Sequence, residues 1–452
     1  MRIIKYALLA GLLSASCASR GAPAPSTNTV TPTKPYKETF EGYKSETPLV
    51  GGTNGWYASH EDVVAQTKFV YSGDMAAKIP FDCSLSNRFE NVVSNVWVTM
   101  WVRTMLYGYT NPPPPNTNAA TVFYIDTNGH FVAKNGTSAG NWTTVTKTAT
   151  DGEYRLENEQ WSRLDMYQDY EAGTWKLFSD YVLISDELPF VNKGVTNFNG
   201  FDLYNGQANS FLDNVEVSYA IPADLVNNGV DWLPHLRATA NVISNEVNED
   251  YCANSQTVGV YRAGGYYKLN YECYVSAGSE WMSIDSTGGT SEGETNLIVI
   301  SYNTIYLSRG VHTGKVTVVG RAEGFGTNVF AVNSPTTIEV RMTIAHPLPS
   351  VAVDPTVLNA TIQKGANAGD KTFQVWNGSG NYILRYTIAR EASNDWISIG
   401  APSVGTITGS GETNRARIGF LTADLDYGTH TGRVIVSGTD LEYGDTVPER
   451  QV

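Results

Sequence analysis

Residues 96–103 (VWVTMWVR) divide by parity into two faces. Val96, Val98, Met100 and Val102 form an aliphatic row, and Trp97, Thr99, Trp101 and Arg103 form the opposite row. A period of two predicts a β-strand, because successive side chains leave the pleat on opposite sides. The same period runs through Tyr267, Leu269, Tyr271, Cys273 and Val275, whose neighbours are mostly polar, and predicts a half-buried strand. Trp161–Tyr167, a glycine-containing turn at Glu171–Thr174 and Trp175–Phe178 read as a hairpin. Phe211–Ser218 reads as a closing strand. In the second half, turn residues recur roughly every 8–12 positions, the punctuation of an antiparallel sandwich.

That second half is duplicated. Gly293-Glu-Thr-Asn296 recurs as Gly411-Glu-Thr-Asn414, and His312-Thr-Gly-Lys-Val316 as His430-Thr-Gly-Arg-Val434, both at an offset of 118. Upstream the offset is 115: Trp281-Met-Ser-Ile284 matches Trp396-Ile-Ser-Ile399, and Tyr267, Leu269 and Tyr271 match Tyr382, Leu384 and Tyr386. The three-residue change falls where a loop is expected. Val447–Val452 reads as only the start of the final strand that Thr337–Thr343 supplies to the first unit, so the second unit is expected to be cut short there. Such an edge would leave unpaired backbone groups.

The pattern W-[MI]-S-I, then G-E-T-N, then L-x-x-G-x-H-T-G-[KR]-V resembles BACON domains, immunoglobulin-like modules of exported bacterial proteins. The resemblance covers 236–346 and 349–452 and implies a spacer role, with Trp281 and Trp396 as core anchors. Phe40-Glu-Gly-Tyr43, Trp161–Phe178 and Phe211-Leu-Asp-Asn-Val-Glu-Val217 together resemble concanavalin A-like (laminin-G-like) jelly rolls over residues 37–219. Residues 220–235 are read as a linker. The expected fold class is therefore all-β: an N-terminal jelly-roll β-sandwich plus two tandem immunoglobulin-like β-sandwiches.

Arg2 and Lys5 precede an apolar run, Tyr6–Leu13, and small residues follow. This predicts a signal peptide over 1–16. Leu13-Ser-Ala-Ser-Cys17 resembles a bacterial lipobox, which implies lipidation of Cys17 and an outer-membrane or cell-surface location; an ordinary cut near Ala15 or Ala18 is the alternative. Residues 17–36, rich in Pro and Thr, read as a tether. The net charge of −14 excludes nucleic acid as the main partner, since phosphate binding needs clustered cations. Membrane contact is expected only through the lipid anchor.

The concanavalin-like resemblance leaves both lectin and glycosidase open. Retaining glycosidases need paired carboxylates about 5–5.5 Å apart, and no strand here carries such a pair. Glu157-Asn-Glu159 lies in a polar loop, and Asp165, Tyr167 and Asp169 read as a solvated strand face. The expected function is non-catalytic binding of a polysaccharide or cell-surface glycan; the alternatives are a glycoside hydrolase or lyase of the same fold and a purely structural adhesin. Trp97, Trp101 and Arg103 form the candidate stacking platform, because sugar C–H faces pack on aromatic rings. A strand buried on both faces is the competing reading. The jelly-roll resemblance also implies that Glu41 and Asp213 could share a structural Ca²⁺, the one cofactor considered. Cys252 and Cys273 either form a disulfide, closing a loop of about twenty residues worth about 3 kcal/mol, or remain thiols, Cys273 being buried.

Overall fold

The computed structural model of the 452-residue chain describes residues 34–92, 95–107, 118–137, 141–146, 153–206, 208–379 and 382–452, and the backbone of Leu8–Gly11. Cys17 and the expected cleavage site lie outside the described residues, as does most of the tether. No helix among the described residues is long and apolar enough to cross a membrane.

The architecture is all-β, as the alternation predicts. The N-terminal part packs two antiparallel sheets face to face. One sheet has seven strands, in the order Trp142–Thr144, Phe131–Lys134, Val122–Ile125, Leu8–Gly11, Phe198–Asn205, Cys83–Val92 and Trp56–Ala58. The other has eight. Seven run in the order Val182–Pro189, Thr174–Ser179, Trp161–Asp169, Val96–Arg103, Ser210–Ser218, Ala76–Ile79 and Val64–Gln66, and Tyr36–Glu38 also pairs with Ser210–Ser218. Leu8–Gly11, read from the sequence as part of a removable leader, is paired on both edges, with Phe198–Asn205 and with Val122–Ile125.

The aliphatic row of Val96–Arg103 faces the core: Val96, Val98, Met100 and Val102 are at most 2% exposed. Each sheet has one such apolar face, and burying the two against each other excludes water from both. Aromatic rings fill the interior, with Trp56 edge-on to Phe201 at 5.9 Å and Trp175 stacked on Phe123 at 5.5 Å.

Each repeated unit is a smaller two-sheet sandwich. The first pairs a four-stranded sheet (Leu236–Ala238, Gln256–Arg262, Asn296–Tyr302, Met282–Ile284) with a five-stranded one (Val242–Asn248, Thr336–Ala345, Gly310–Ala322, Leu269–Ala277, Gly288–Ser291). The second has two four-stranded sheets: Val351–Asp354, Lys371–Asn377, Thr413–Phe420 and Ile397–Ile399 in one, and Val404–Ile407, Leu384–Arg390, Val434–Asp440 and Thr446–Gln451 in the other. The duplication holds in register. Cys273 lies opposite Val318, and its counterpart Ile388 opposite Val436. The paired histidines do the same job in both units: His312 Nε2 meets the Ser308 carbonyl at 2.7 Å, and His430 Nε2 the Asp426 carbonyl at 2.8 Å.

The structure decides the cysteine question. Cys252 is exposed, Cys273 is buried, and both are free thiols. Cys273 faces the core with Leu269 and Tyr271, and its Sγ meets the Ser286 carbonyl at 2.9 Å. Burial pushes this thiol up to about 11, which makes it a poor nucleophile.

Residues 220–235, read from the sequence as a linker, are anchored through buried Leu225, Trp232 and Leu233. A short helix, Ala223–Asn227, leads to Trp232, which is fully buried. Trp232 joins Trp97, Phe178 and Leu183 of the N-terminal sandwich to Tyr267, Ala322 and Val329 of the first repeated unit in one apolar cluster. Gly265, at φ +81°, lies against this junction, and a Cβ there would collide with the Leu233 carbonyl. This segment is a welded joint, because its apolar side chains fill the space between the two sandwiches.

Candidate functional site

The eight-stranded sheet has an outer face whose composition sets it apart. Register places Trp101 beside Arg163 and Asp213, Thr99 beside Asp165 and Glu216, and Arg103 beside Trp161 and Phe211. Directly opposed residues project from the same face. The outer face therefore carries Trp, Arg and Asp side chains, while the other face is aliphatic core.

A surface loop completes the face. Tyr71 stacks on Trp101 with ring centroids 3.6 Å apart and planes 15° apart. Trp161 meets the same Tyr71 ring edge-on at 6.0 Å. Tyr71 remains 39% exposed, and Trp101 and Trp161 are partly exposed. The three rings form a solvent-reaching ledge.

Two carboxylates pin the loop. Asp213 Oδ2 accepts the backbone N–H groups of Tyr71 at 3.0 Å and Ser72 at 3.2 Å. Glu41 Oε1 accepts those of Asp74 at 2.9 Å and Met75 at 3.0 Å. Burial raises the Asp213 carboxyl, against the pull of these N–H donors. Glu41 and Asp213, expected to share a Ca²⁺, thus act on the same segment as backbone anchors. Among the described residues no group of three or more His, Cys, Asp or Glu side chains is placed to hold a metal ion.

Beside the ledge lies a charged network. Arg163 binds Asp165 through two hydrogen bonds of 2.8 and 2.9 Å, and Thr99 Oγ1 donates to Asp165 Oδ1 at 2.6 Å. Burial pushes the Asp165 carboxyl up, opposed by Arg163 and Thr99. Arg163 also stacks over the Tyr181 ring at 5.0 Å and reaches exposed Asp224 at 3.6 Å. Asp180 accepts the Arg163 backbone N–H at 2.8 Å and the Tyr154 hydroxyl at 2.9 Å. Burial raises the Tyr71 phenol, and Tyr181, Asp224 and Asp180 add to this while Arg163 opposes it. The ledge and the charged network therefore lie within electrostatic reach of each other.

The expected trio of Trp97, Trp101 and Arg103 is divided by the fold. Trp97 is 3% exposed, covered by Tyr167, Phe178 and Phe325 at the junction with the first repeated unit. It cannot stack on a ligand there, because a neighbouring sandwich occupies the space. Arg103 is buried too, lying over Phe69 at 4.3 Å and bonded to Glu159 at 3.2 Å. Only Trp101 belongs to the ledge. Tyr71 and Trp161 do not emerge from the platform expectation. Trp161 was legible, since Trp161, Arg163, Asp165 and Tyr167 repeat the parity of residues 97–103. Tyr71 comes from a loop without periodicity.

Residues 245–333 match the family model described as the viral BACON domain. The match falls within the first repeated unit. No curated protein matches the chain. Among solved structures, domain 4 of AbnA, an extracellular arabinanase from Geobacillus stearothermophilus in complex with arabinotriose, is 16% identical over 37% of this chain and 81% of its own, at TM-score 0.25. The carbohydrate-binding module CBM66 from Bacillus subtilis is 10% identical over 36% of this chain and 95% of its own, at TM-score 0.23. The seventh PapD-like domain of human CEP192 is 7% identical over 25% of this chain and 88% of its own, at TM-score 0.22.

Proposed function

We propose that this chain is a non-catalytic carbohydrate-binding protein. The N-terminal sandwich, a jelly roll of the concanavalin-like type, binds the glycan, and the two repeated units are spacers. The chain is exported and held at the outer membrane or cell surface by lipid on Cys17, with the leader, Leu8–Gly11 included, leaving the seven-stranded sheet on cleavage. The observation that carries this reading is the ledge of Tyr71, Trp101 and Trp161, fastened by Asp213 and bordered by Arg163. Flat rings with a polar neighbour suit a sugar, whose C–H face stacks while its hydroxyls hydrogen-bond. The nearby acids support binding over hydrolysis: Asp165 is committed to Arg163, and Asp213 to backbone amides.

The test is a glycan array with the full chain, followed by titration of the best polysaccharide. Tyr71→Ala and Trp161→Ala should each weaken binding about tenfold, equivalent to about 1.4 kcal/mol. Trp97→Ala should lower stability and leave affinity for the folded protein unchanged. Absence of binding to any polysaccharide, or full affinity in the Tyr71→Ala/Trp161→Ala double variant, would remove the basis of the proposal.

A further inference from the structure

The ledge of Tyr71, Trp101 and Trp161 stacks neutral rings. What borders it decides which sugars it admits, because a charged sugar group that gives up water needs an opposite charge in its place. Register puts Arg163 opposite Trp101 and Arg103 opposite Trp161, and neither guanidinium is open to an anion. Arg163 Nε and Nη2 bond Asp165 at 2.8 and 2.9 Å, and its Nη1 lies 3.6 Å from Asp224. Asp165 is fully buried, so drawing Arg163 toward a ligand would leave that acid without its partner. Arg103 Nη2 bonds Glu159 at 3.2 Å. Its Nη1 has no partner among the described residues, but it is buried, and the guanidinium packs over Phe69 and Phe211 at 4.3 and 5.6 Å. An incoming carboxylate would have to displace these rings to reach it. Exposed Lys68 lies over Phe69, which packs on Phe211 and not on the ledge, and Lys78 stands one strand further out, opposite Phe211.

The acids are placed differently. Asp224 is the open member of the charged network, its side chain 74% exposed. It acts on the Tyr71 hydroxyl, as Asp180 does. Asp74, on the same loop as Tyr71, is exposed too. A solvated carboxylate accepts hydrogen bonds from sugar hydroxyls and repels a second carboxylate or a sulfate. A cationic sugar fares no better, because Arg163 already holds the position between Asp165 and Asp224 that an ammonium group would need.

We propose that the ledge takes uncharged glycans and turns away charged ones, with Asp224 setting the preference. The proposal rests on the glycan-binding role given above and names the class of sugar for that same site.

The full chain is titrated with neutral xylan, mannan and β-glucan, with anionic polygalacturonate, alginate and heparin, and with cationic chitosan. Only binding that the Tyr71→Ala/Trp161→Ala double variant abolishes is counted, which removes adsorption of a cationic polymer elsewhere on an acidic chain. At least one neutral polymer should bind, and each charged one should bind at least about tenfold more weakly. Raising salt from about 0.05 to about 0.5 M should change the neutral affinity by less than about twofold, since no exposed ion pair forms. Asp224→Asn should narrow the ratio between the neutral polymer and polygalacturonate about threefold, as one repulsive charge is lost. Ledge-dependent binding of a charged polymer as tight as that of the best neutral one would overturn the preference and leave glycan binding in place. So would a neutral affinity that falls steeply with salt, or a ratio that Asp224→Asn does not move. No ledge-dependent binding of any of these polymers would remove both the preference and the glycan-binding role.

Discussion

Replacing His346 by alanine is expected to destabilise the join between the two repeated units by about 3–5 kcal/mol. His346 follows the last strand of the first unit, and its side chain is fully buried between two acids. Nδ1 lies 2.6 Å from Glu249 Oε2, and Nε2 lies 3.3 Å from Asp440 Oδ1. Glu249 also accepts the Arg309 backbone N–H at 3.0 Å and the Tyr443 hydroxyl at 2.7 Å. Arg309 in turn pairs with Asp445, and the Tyr382 ring covers the imidazole at 3.9 Å. Glu249 and Arg309 belong to the first unit; Tyr382, Asp440, Tyr443 and Asp445 belong to the second. Removing the imidazole strips the buried Glu249 and Asp440 side chains of the ring that lies between them, and that unpaired burial is the dominant cost.

Urea unfolding should show the loss as a lower midpoint for the second unit. Tyr443→Phe removes one hydrogen bond and should cost about 1–2 kcal/mol. Equal effects from the two variants would show that the ring contributes no more than a single hydrogen bond. Acid adds a check with a definite sign. Burial opposes ionisation of Glu249, but bonds from Tyr443, His346 and Arg309 outweigh it and hold the carboxyl below its ordinary 4.5. A group held low in the folded state stabilises above its unfolded value and loses that contribution as pH falls through the folded one. The stability difference between the native chain and Glu249→Gln should therefore be full at neutral pH and shrink as pH falls below the ordinary value. A difference that grew on acidification would invert the assignment.

Trp232→Ala should cost about 3–5 kcal/mol by opening a cavity in the joint between the N-terminal sandwich and the first repeated unit. The indole N–H donates to the Tyr181 carbonyl at 3.2 Å, and the ring lies 5.3 Å from Phe178, 5.4 Å from Phe325 and 5.9 Å from Tyr267. Phe178 comes from one sandwich and the other two rings from the next, so one truncation strips contacts from both. Calorimetry should show the unfolding of the two parts moving apart, and limited proteolysis should begin to cut within residues 219–235. Tyr306→Ala is the matched control: this ring is 88% exposed, and its loss should change stability by less than about 0.5 kcal/mol. A Trp232→Ala chain that melts as the native one does would show that the two sandwiches are joined by something other than this cluster.

The sandwich cores were legible because their physics is local. A strand with one face in a core must alternate, so Val96, Val98, Met100 and Val102 could be assigned inward from eight letters. The duplication was legible because two units under the same packing constraints keep the same residues: Trp281 and Trp396, and the Gly-x-His-Thr-Gly turns. Parity alone could not say what lies over the outward row. Trp97 and Trp101 are equivalent in the sequence, four residues apart on one face. A neighbouring sandwich covers the first, and only a tyrosine stacks on the second.

The same limit applies to the polar residues. Glu41 and Asp213 were singled out as a pair that could share Ca²⁺, but their partners are backbone amides within residues 71–75, which carry no side-chain signature. His346 and Trp232 drew no attention in the sequence. Each is a single residue in a connecting stretch, and each gains its partners only when remote strands converge: Glu249 and Asp440 around the histidine, Phe178 and Tyr267 around the tryptophan. By itself, then, the sequence determined the all-β class and the repeat, since these follow from periodicity and self-similarity. The tertiary structure alone decided which aromatic rings face solvent and which acids are already engaged, because those depend on contacts between segments far apart in the chain.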